Sequence, residues 1–241
     1  MKCKNSSGEP AMLQAEFDRF ADQYHADHAE NIRVSGEDPE FFAEYKIADV
    51  HRVVGDKPMR ILDFGAGIGN SVSPFRKYYP DAELICLDVS EQSLDLARGR
   101  FPGMATYRSF DGVHIPLEDE EVDLAFTSCV FHHIPKALQP GLLREIHRVL
   151  RRDGDFFLFE HNPLNPLTLH AVNTCPFDEN AVLIRAGAMR QRMAEAGFAK
   201  TDLAYRIFFP GIVSALRPLE RCLTWLPLGA QYYVHGRKDS G

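Results

Sequence analysis

Hydrophobic positions in this chain switch repeatedly between two periods. Short, nearly unbroken apolar runs such as Ile61 to Phe64, Leu84 to Leu87 and Val122 to Phe126 alternate with stretches whose apolar residues recur every third or fourth position. The short runs predict buried strands and the longer ones amphipathic helices, because side chains repeat every second residue on a strand and about every 3.6 on a helix. From Met59 the pattern gives a strand Met59 to Phe64, a helix to about Tyr79, a strand Glu83 to Leu87 and a helix starting at Ser90. Strands near Ala105 to Ser109 and Val122 to Ser128 follow. Leu138, Leu142, Ile146, Val149 and Leu150 then predict a long amphipathic helix ended by Gly154, with a strand Asp155 to Glu160 after it. Met189, Met193 and Ala196 place another helix, stopped at Gly197, and Asp202 to Phe209 and Gln231 to His235 read as late strands. Such alternation predicts an α/β fold, a parallel sheet with right-handed crossovers and helices on both faces.

The flanks read differently. Met1 to Pro10 carries almost nothing to bury and predicts a disordered tail, 1–10. Leu13, Phe17, Phe20 and Tyr24 recur at helical spacing, and Ala43, Ile47, Val50 and Val54 do so again behind Asp38-Pro39, an N-cap followed by proline at the first helical position. The expected organisation is therefore a helical segment 11–57 and a core 58–241. Within the core, 161–180 contains Asn162-Pro163, Asn165-Pro166 and Cys175-Pro176 and reads as a long irregular loop. It leaves the C-terminal edge of the sheet, where ligands bind in open α/β folds, and is expected to recognise substrate. The alternative is a connector held by asparagine side chains. Phe208 to Leu228 is apolar but broken by Pro210, Pro218 and Pro227 into short helical pieces. It is expected to fill a crevice; a dimer contact or a surface touching membrane or a lipid tail are the other readings.

Chemistry enters at Ile61-Leu62-Asp63-Phe64-Gly65-Ala66-Gly67-Ile68-Gly69, a strand that stops at a glycine-rich turn and opens a helix. Asp88 ends the next strand, roughly 20 residues on, where an acid can accept from both hydroxyls of a ribose. Together they predict a nucleoside-bearing cofactor. A dinucleotide fingerprint would have a small residue where Asn70 stands, and Asp63 would oppose a pyrophosphate while favouring a ligand with sulfonium and ammonium groups. These residues point to S-adenosylmethionine.

At this level the chain resembles the class I S-adenosylmethionine-dependent methyltransferases, in particular the small-molecule type that includes ubiquinone and menaquinone biosynthesis enzymes. Phe110-Asp111-Gly112, the strand Val122 to Ser128 with Cys129-Val130-Phe131-His132-His133-Ile134, and Leu142 through Gly154 continue the resemblance in order. It implies a Rossmann-like, seven-stranded, mostly parallel sheet with the last strand antiparallel, and S-adenosylhomocysteine as product. It also implies that the helices of 11–57 form a lid whose Tyr24 meets the cofactor, and that Asp111 meets the adenine amine. The expected cofactor-binding set is Tyr24, Asp63, Gly65, Ala66, Gly67, Asp88, Val89, Asp111, Gly112 and Ser128. Lys46 is a further candidate, for the methionine carboxylate, although a solvated helix face explains it equally well.

His132, His133, Glu160 and His161 follow the fourth and fifth strands and are the candidates for proton transfer. Adjacent residues of an extended segment point opposite ways, so only one of the two neighbouring histidines is expected to face the pocket. His132, His133, His161 and Glu160 together offer suitable atoms for a metal, but they have no local ligand spacing, no C-x-x-C or H-E-x-x-H occurs, and no metal is expected. The net charge of −7, without a basic stripe, argues against nucleic acid. The 5 cysteines are odd in number and unclustered, which reads as reduced thiols in a cytoplasmic protein. The expectation is a monomer or homodimer with no transmembrane segment, acting on a small-molecule or glycolipid-type substrate, with peripheral membrane contact as an option. A non-catalytic S-adenosylmethionine-binding protein and an NAD(P)-dependent oxidoreductase are the competing readings.

Overall fold

The computed structural model describes residues 39–175, 178 and 180–239; the expected tail and the first helix with Tyr24 lie outside them. Helix α1 (Pro39–Val54) precedes β1 (Arg60–Phe64), α2 (Val72–Tyr78), β2 (Glu83–Asp88), α3 (Glu91–Arg100), β3 (Thr106–Ser109) and β4 (Val122–Ser128). Then come α4 (Gln139–Val149), β5 (Leu150–His161), α5 (Pro166–Thr174), α6 (Ala186–Glu195), β6 (Lys200–Arg206), a 3-10 stretch (Gly211–Cys222) and β7 (Gln231–Arg237). One seven-stranded sheet results, in the order β3-β2-β1-β4-β5-β7-β6. Six strands are parallel, and β7 runs antiparallel between β5 and β6. This is the Rossmann-like fold the alternation and the resemblance predict.

Strand periodicity divides the core into two layers. Ile61, Leu84, Cys86, Leu124, Phe126, Phe157 and Phe159 pack on one face with Ile47 and Val50 of α1 and Val72 and Phe75 of α2. Leu62, Phe64, Ile85, Leu87, Ala125, Phe156 and Leu158 pack on the other with Leu142 and Ile146 of α4 and Met189 and Met193 of α6. Both faces of the central strands are buried, which is why they read as nearly continuous apolar runs. Helix α1 is thus integral to one layer. It is anchored at its far end by Asp49, which pairs with Arg206 of β6.

Four expectations are corrected. The helix ending near Gly154 stops at Val149, because Leu150 pairs with Val122 as a strand residue and the N–H groups of Glu120 and Glu121 take the carbonyls of Arg148 and Val149. Gly154 instead lies inside β5, where a β-carbon would sit 2.8 Å from the Arg151 carbonyl. The segment 161–180 is not free of regular structure. Asn165 accepts from the Thr168 N–H and caps α5, with Pro166 at the first helical position.

The late strand occupies Lys200–Arg206 rather than Asp202 to Phe209. Ile207 turns to a positive φ of 61° and its carbonyl oxygen accepts from the Ala230 N–H, so pairing stops at Arg206. Finally, Phe208 to Leu228 does not fill a crevice. Ile212 is 93% and Trp225 72% exposed, with Leu216, Leu219 and Leu228 exposed beside them. In the 3-10 stretch the buried side chain is Glu220, which accepts from the N–H groups of Phe208 and Phe209. No described helix is long and apolar enough to cross a membrane.

Candidate active site

The same alternation that sorts the core brings polar groups together at the C-terminal strand ends. Asp63 of β1, Asp88 of β2, Ser128 of β4 and His161 of β5 continue the parity of Ile61, Cys86, Phe126 and Phe159, so all four project on the α1 side. Lys46 of α1 reaches them. Its side chain is only 6% exposed, its Nζ donates to Ser128 Oγ at 2.6 Å, and Cys129 Sγ lies 3.8 Å away. The reading of Lys46 as a solvated side chain is thereby excluded.

The glycine turn is shaped by close packing and by Asp88. Gly65, Gly67 and Gly69 have φ of 76°, 52° and 79°, a region that favours glycine. A β-carbon on Gly65 would meet Val130 Cγ2 at 2.4 Å, whereas one on Gly67 would point into open space. The N–H groups of Gly65 and Ala66 bond the Leu87 carbonyl, and that of Gly67 bonds Asp88 Oδ2 at 2.8 Å. Asp88 Oδ1 accepts from the Ser90 N–H, so this carboxylate fixes both the glycine turn and the start of α3, next to Val89.

Asp63 is buried beneath the turn and accepts from the Ser71 hydroxyl. Burial raises its carboxyl to about 7, only partly offset by Ser71 and by the positive charge of Lys46. Asp111 lies further out, largely exposed. It accepts from the N–H groups of Val113 and His114, closing a turn around Gly112, whose φ is 80°.

A second cluster sits across the sheet edge. Glu160, fully buried, follows the parity of Leu158 on the α4 side, and its Oε2 lies 2.5 Å from His132 Nδ1 while its Oε1 accepts from the His132 N–H. The expectation that His132 and His133 point opposite ways is corrected. Residues 131–134 form a turn, with the His133 N–H bonded to the Val130 carbonyl, and the two rings lie 4.2 Å apart. Both Nε2 atoms face Asp178 Oδ1, at 3.5 Å from His132 and 3.4 Å from His133. His161 links the halves, its ring 5.3 Å from that of His132.

Burial disfavours an imidazolium at His132, but Glu160 and Asp178 outweigh it and push the ring up to about 10. Burial, helped by the neighbouring His132 charge, moves His133 down. Burial also opposes a thiolate at Cys129, which His161 and Lys46 nevertheless lower to about 7. Cys129 itself sits at a φ of 58° and faces the Gln231 side chain, which accepts from the Tyr45 hydroxyl.

The structure thus brings together Asp63, Gly65, Ala66, Gly67, Asp88 and Ser128 on one side and His132, His133 and Glu160 on the other, with His161 linking the two and Asp111 and Gly112 on the exposed turn beyond them. Asp178, Cys129, Ser71 and Gln231 were not among the sequence candidates. Asp178 lies 45 residues beyond His133 in a stretch with no pattern of its own. Ser71 had a local signal in its place just after the glycine turn.

Residues 62–158 match the family described as a methyltransferase domain. A malonyl-[acyl-carrier protein] O-methyltransferase of Methylococcus capsulatus is 27% identical over 176 residues, 70% of this chain and 63% of that protein. The chain thus spans under two thirds of the length of the first curated relatives it matches. Among solved structures, a SAM-dependent methyltransferase of Thermotoga maritima, described as a possible histamine N-methyltransferase, superposes with a TM-score of 0.67 at 18% identity, covering 94% of this chain and 100% of that one. A phosphoethanolamine N-methyltransferase of Haemonchus contortus in complex with S-adenosylhomocysteine gives 0.66 at 15%, covering 95% and 60%. Over residues 62–158 the chain is thus similar to a methyltransferase domain, and its fold is that of these solved S-adenosylmethionine-dependent methyltransferases.

Proposed function

We propose that this protein transfers the methyl group of S-adenosylmethionine to a small-molecule acceptor, with the cofactor on the α1 side of the strand ends and the acceptor against the histidine-carboxylate cluster. The observation that carries this reading is the meeting of Asp63 and Asp88 at the Gly65 to Gly67 turn, with the buried Lys46 near enough for its charge to act on Asp63. The fit is chemical. Asp63 offers a buried carboxylate to an ammonium, Lys46 a buried cation to a carboxylate, Asp88 two acceptor oxygens to a ribose diol, and Gly67 leaves room for close approach. Asp111 and Gly112 are assigned to the adenine side, Val89 and Ser128 to the walls, and Tyr24 to the covering segment. When bound, the cofactor supplies a methyl group on a cationic sulfur, a leaving group that is already activated.

The chain's own residues then have two tasks. Holding the nucleophile in line can supply roughly 7–11 kcal/mol of the barrier. Excluding water falls to α1 and to the buried Lys46–Ser128 contact. Where the nucleophile carries a proton, the cluster of His132, His133 and Glu160 with His161 is the group that manages it. A lipid-linked acceptor is the finer reading, supported by the exposed apolar side chains from Ile212 to Leu228, which begin beside α1 where Arg217 stacks over Phe41 at 4.5 Å.

The test is production of S-adenosylhomocysteine on a panel of quinols, carboxylic acids, sugars, amines and lipid-linked acceptors. Turnover with one class and none with NADH-dependent substrates supports the reading; binding without turnover on every class contradicts it.

Affinity for S-adenosylhomocysteine is also expected to depend on pH. Below about 7 the Asp63 carboxyl is protonated in the free protein, and binding an ammonium group requires it to ionise. Affinity should therefore fall as pH drops below about 7, by up to about tenfold per unit, and level off above it. The other titratable groups facing Asp63 are Asp88 and Cys86 on β2 and Lys46 on α1. Burial holds the Cys86 thiol well above this window. Calorimetry between pH 5.5 and 8 (roughly the window that the raised carboxyl spans) checks this, and Asp63→Asn should flatten the profile.

A further inference from the structure

We propose that His132, His133 and Asp178 form a three-ligand site for a divalent cation of the zinc type, placed to bind an oxygen of the acceptor; this deepens the methyl-transfer reading and rests on it. The three ligand atoms lie within 4.8 Å of one another. His132 Nε2 and His133 Nε2 stand 3.5 and 3.4 Å from Asp178 Oδ1, longer than ordinary N–H···O bonds of about 2.7–3.2 Å. Ligands about 2.0–2.1 Å from a tetrahedral zinc ion are separated by roughly 3.3–3.4 Å, whereas an octahedral ion at the same bond length brings neighbours to roughly 3 Å. The two histidine-to-Asp178 distances are those of a tetrahedral edge.

Three further features agree. His132 Nε2 is buried and makes no hydrogen bond. The other nitrogen of that ring is taken by Glu160, as metal-ligating histidines are commonly oriented by a carboxylate behind them. Two imidazoles and one carboxylate suit a borderline ion, and three protein ligands leave a fourth position open, the arrangement of sites that act on substrate rather than only brace a fold.

The acceptor class follows from that open position. A hydroxyl or carboxyl oxygen bound there becomes more acidic, its proton passing to solvent, and the resulting oxygen anion takes the methyl group while the cofactor sulfur retains the electron pair of the broken carbon–sulfur bond. The ion's role is charge stabilisation; nothing is oxidised or reduced.

The experiment titrates metal-stripped protein with Co²⁺ and, separately, with Zn²⁺ against a chromophoric chelator, using S-adenosylhomocysteine binding as the control for folding. One equivalent of Co²⁺ should give the intense visible bands of a tetrahedral site. His133→Ala and Asp178→Asn should abolish them with S-adenosylhomocysteine binding retained, and Glu160→Gln should weaken Zn²⁺ binding by about 10–100-fold. Absence of the bands in wild-type protein that still binds S-adenosylhomocysteine overturns the metal site and leaves methyl transfer standing, as does equal Co²⁺ binding by the ligand variants. Failure of the wild-type protein to bind S-adenosylhomocysteine contradicts the functional reading itself.

Discussion

Glu160→Ala is expected to lower the unfolding free energy by about 3–5 kcal/mol, the range for breaking a buried ion pair by removing one partner. Glu160 is fully buried, and the substitution leaves two groups of His132, its ring Nδ1 and its backbone N–H, without their acceptor. The ring then loses the carboxylate that holds its orientation toward Asp178. Glu160→Gln keeps the shape and an acceptor oxygen, and should lose about 1–3 kcal/mol. Urea unfolding of the three proteins reads both numbers. An Ala variant as stable as the wild type would show that the carboxylate does not carry the pair.

Gly65→Ala should be the most damaging change in the glycine turn, and Gly67→Ala the most selective. At Gly65 an alanine would adopt a φ of 76°, at about 1–2 kcal/mol, and drive its β-carbon into the Val130 methyls at 2.4 and 2.9 Å, which adds about 1–3 kcal/mol of overpacking. Together they predict a loss of roughly 2–5 kcal/mol, and Val130→Ala in the same chain should restore the overpacking part. At Gly67 the φ of 52° carries the backbone strain, but the β-carbon meets no protein atom. That variant should lose only about 1–2 kcal/mol of stability while its affinity for S-adenosylhomocysteine falls more than about tenfold. Paired melting and calorimetry separate the two. Equal affinity in wild type and Gly67→Ala would place the cofactor elsewhere.

What could be read from the sequence was set by local physics. Strands buried on both faces announce themselves as apolar runs, and their order fixes a parallel sheet with crossovers. Asp63 and Asp88 were legible because a strand's end, a glycine turn and a second strand's end form one local unit. The start of α1 was legible at Pro39, a proline at the first helical position. The start of α5 carried the same kind of signal in Asn165-Pro166, but the surrounding prolines and asparagines read as loop. The end of α4 is hidden in the sequence for another reason: Val149 and Leu150 continue the helical spacing, and only pairing with Val122 makes Leu150 a strand residue.

The cluster around His132 was half legible. Its histidines and Glu160 were visible as polar residues at the ends of apolar runs. That His132 and His133 share a direction depends on the turn at 131–134, and Asp178 arrives from a distant segment that only the tertiary fold brings near. Lys46 was ambiguous in sequence because a long cationic side chain on an amphipathic helix usually faces solvent. Here its position over the strand ends places it at Ser128.

A cleft gripped by carboxylates on the α1 side of the sheet is the proposed cofactor site. Calorimetry of S-adenosylhomocysteine with wild-type protein and Asp88→Ala, with NADH in the same cell as comparison, tests it most directly. Carboxylate recognition of the cofactor requires stoichiometric binding by the wild type, a loss of about 1–3 kcal/mol in Asp88→Ala, and no heat with NADH. Equal affinity in both proteins, or binding of NADH in preference to S-adenosylhomocysteine, would contradict it.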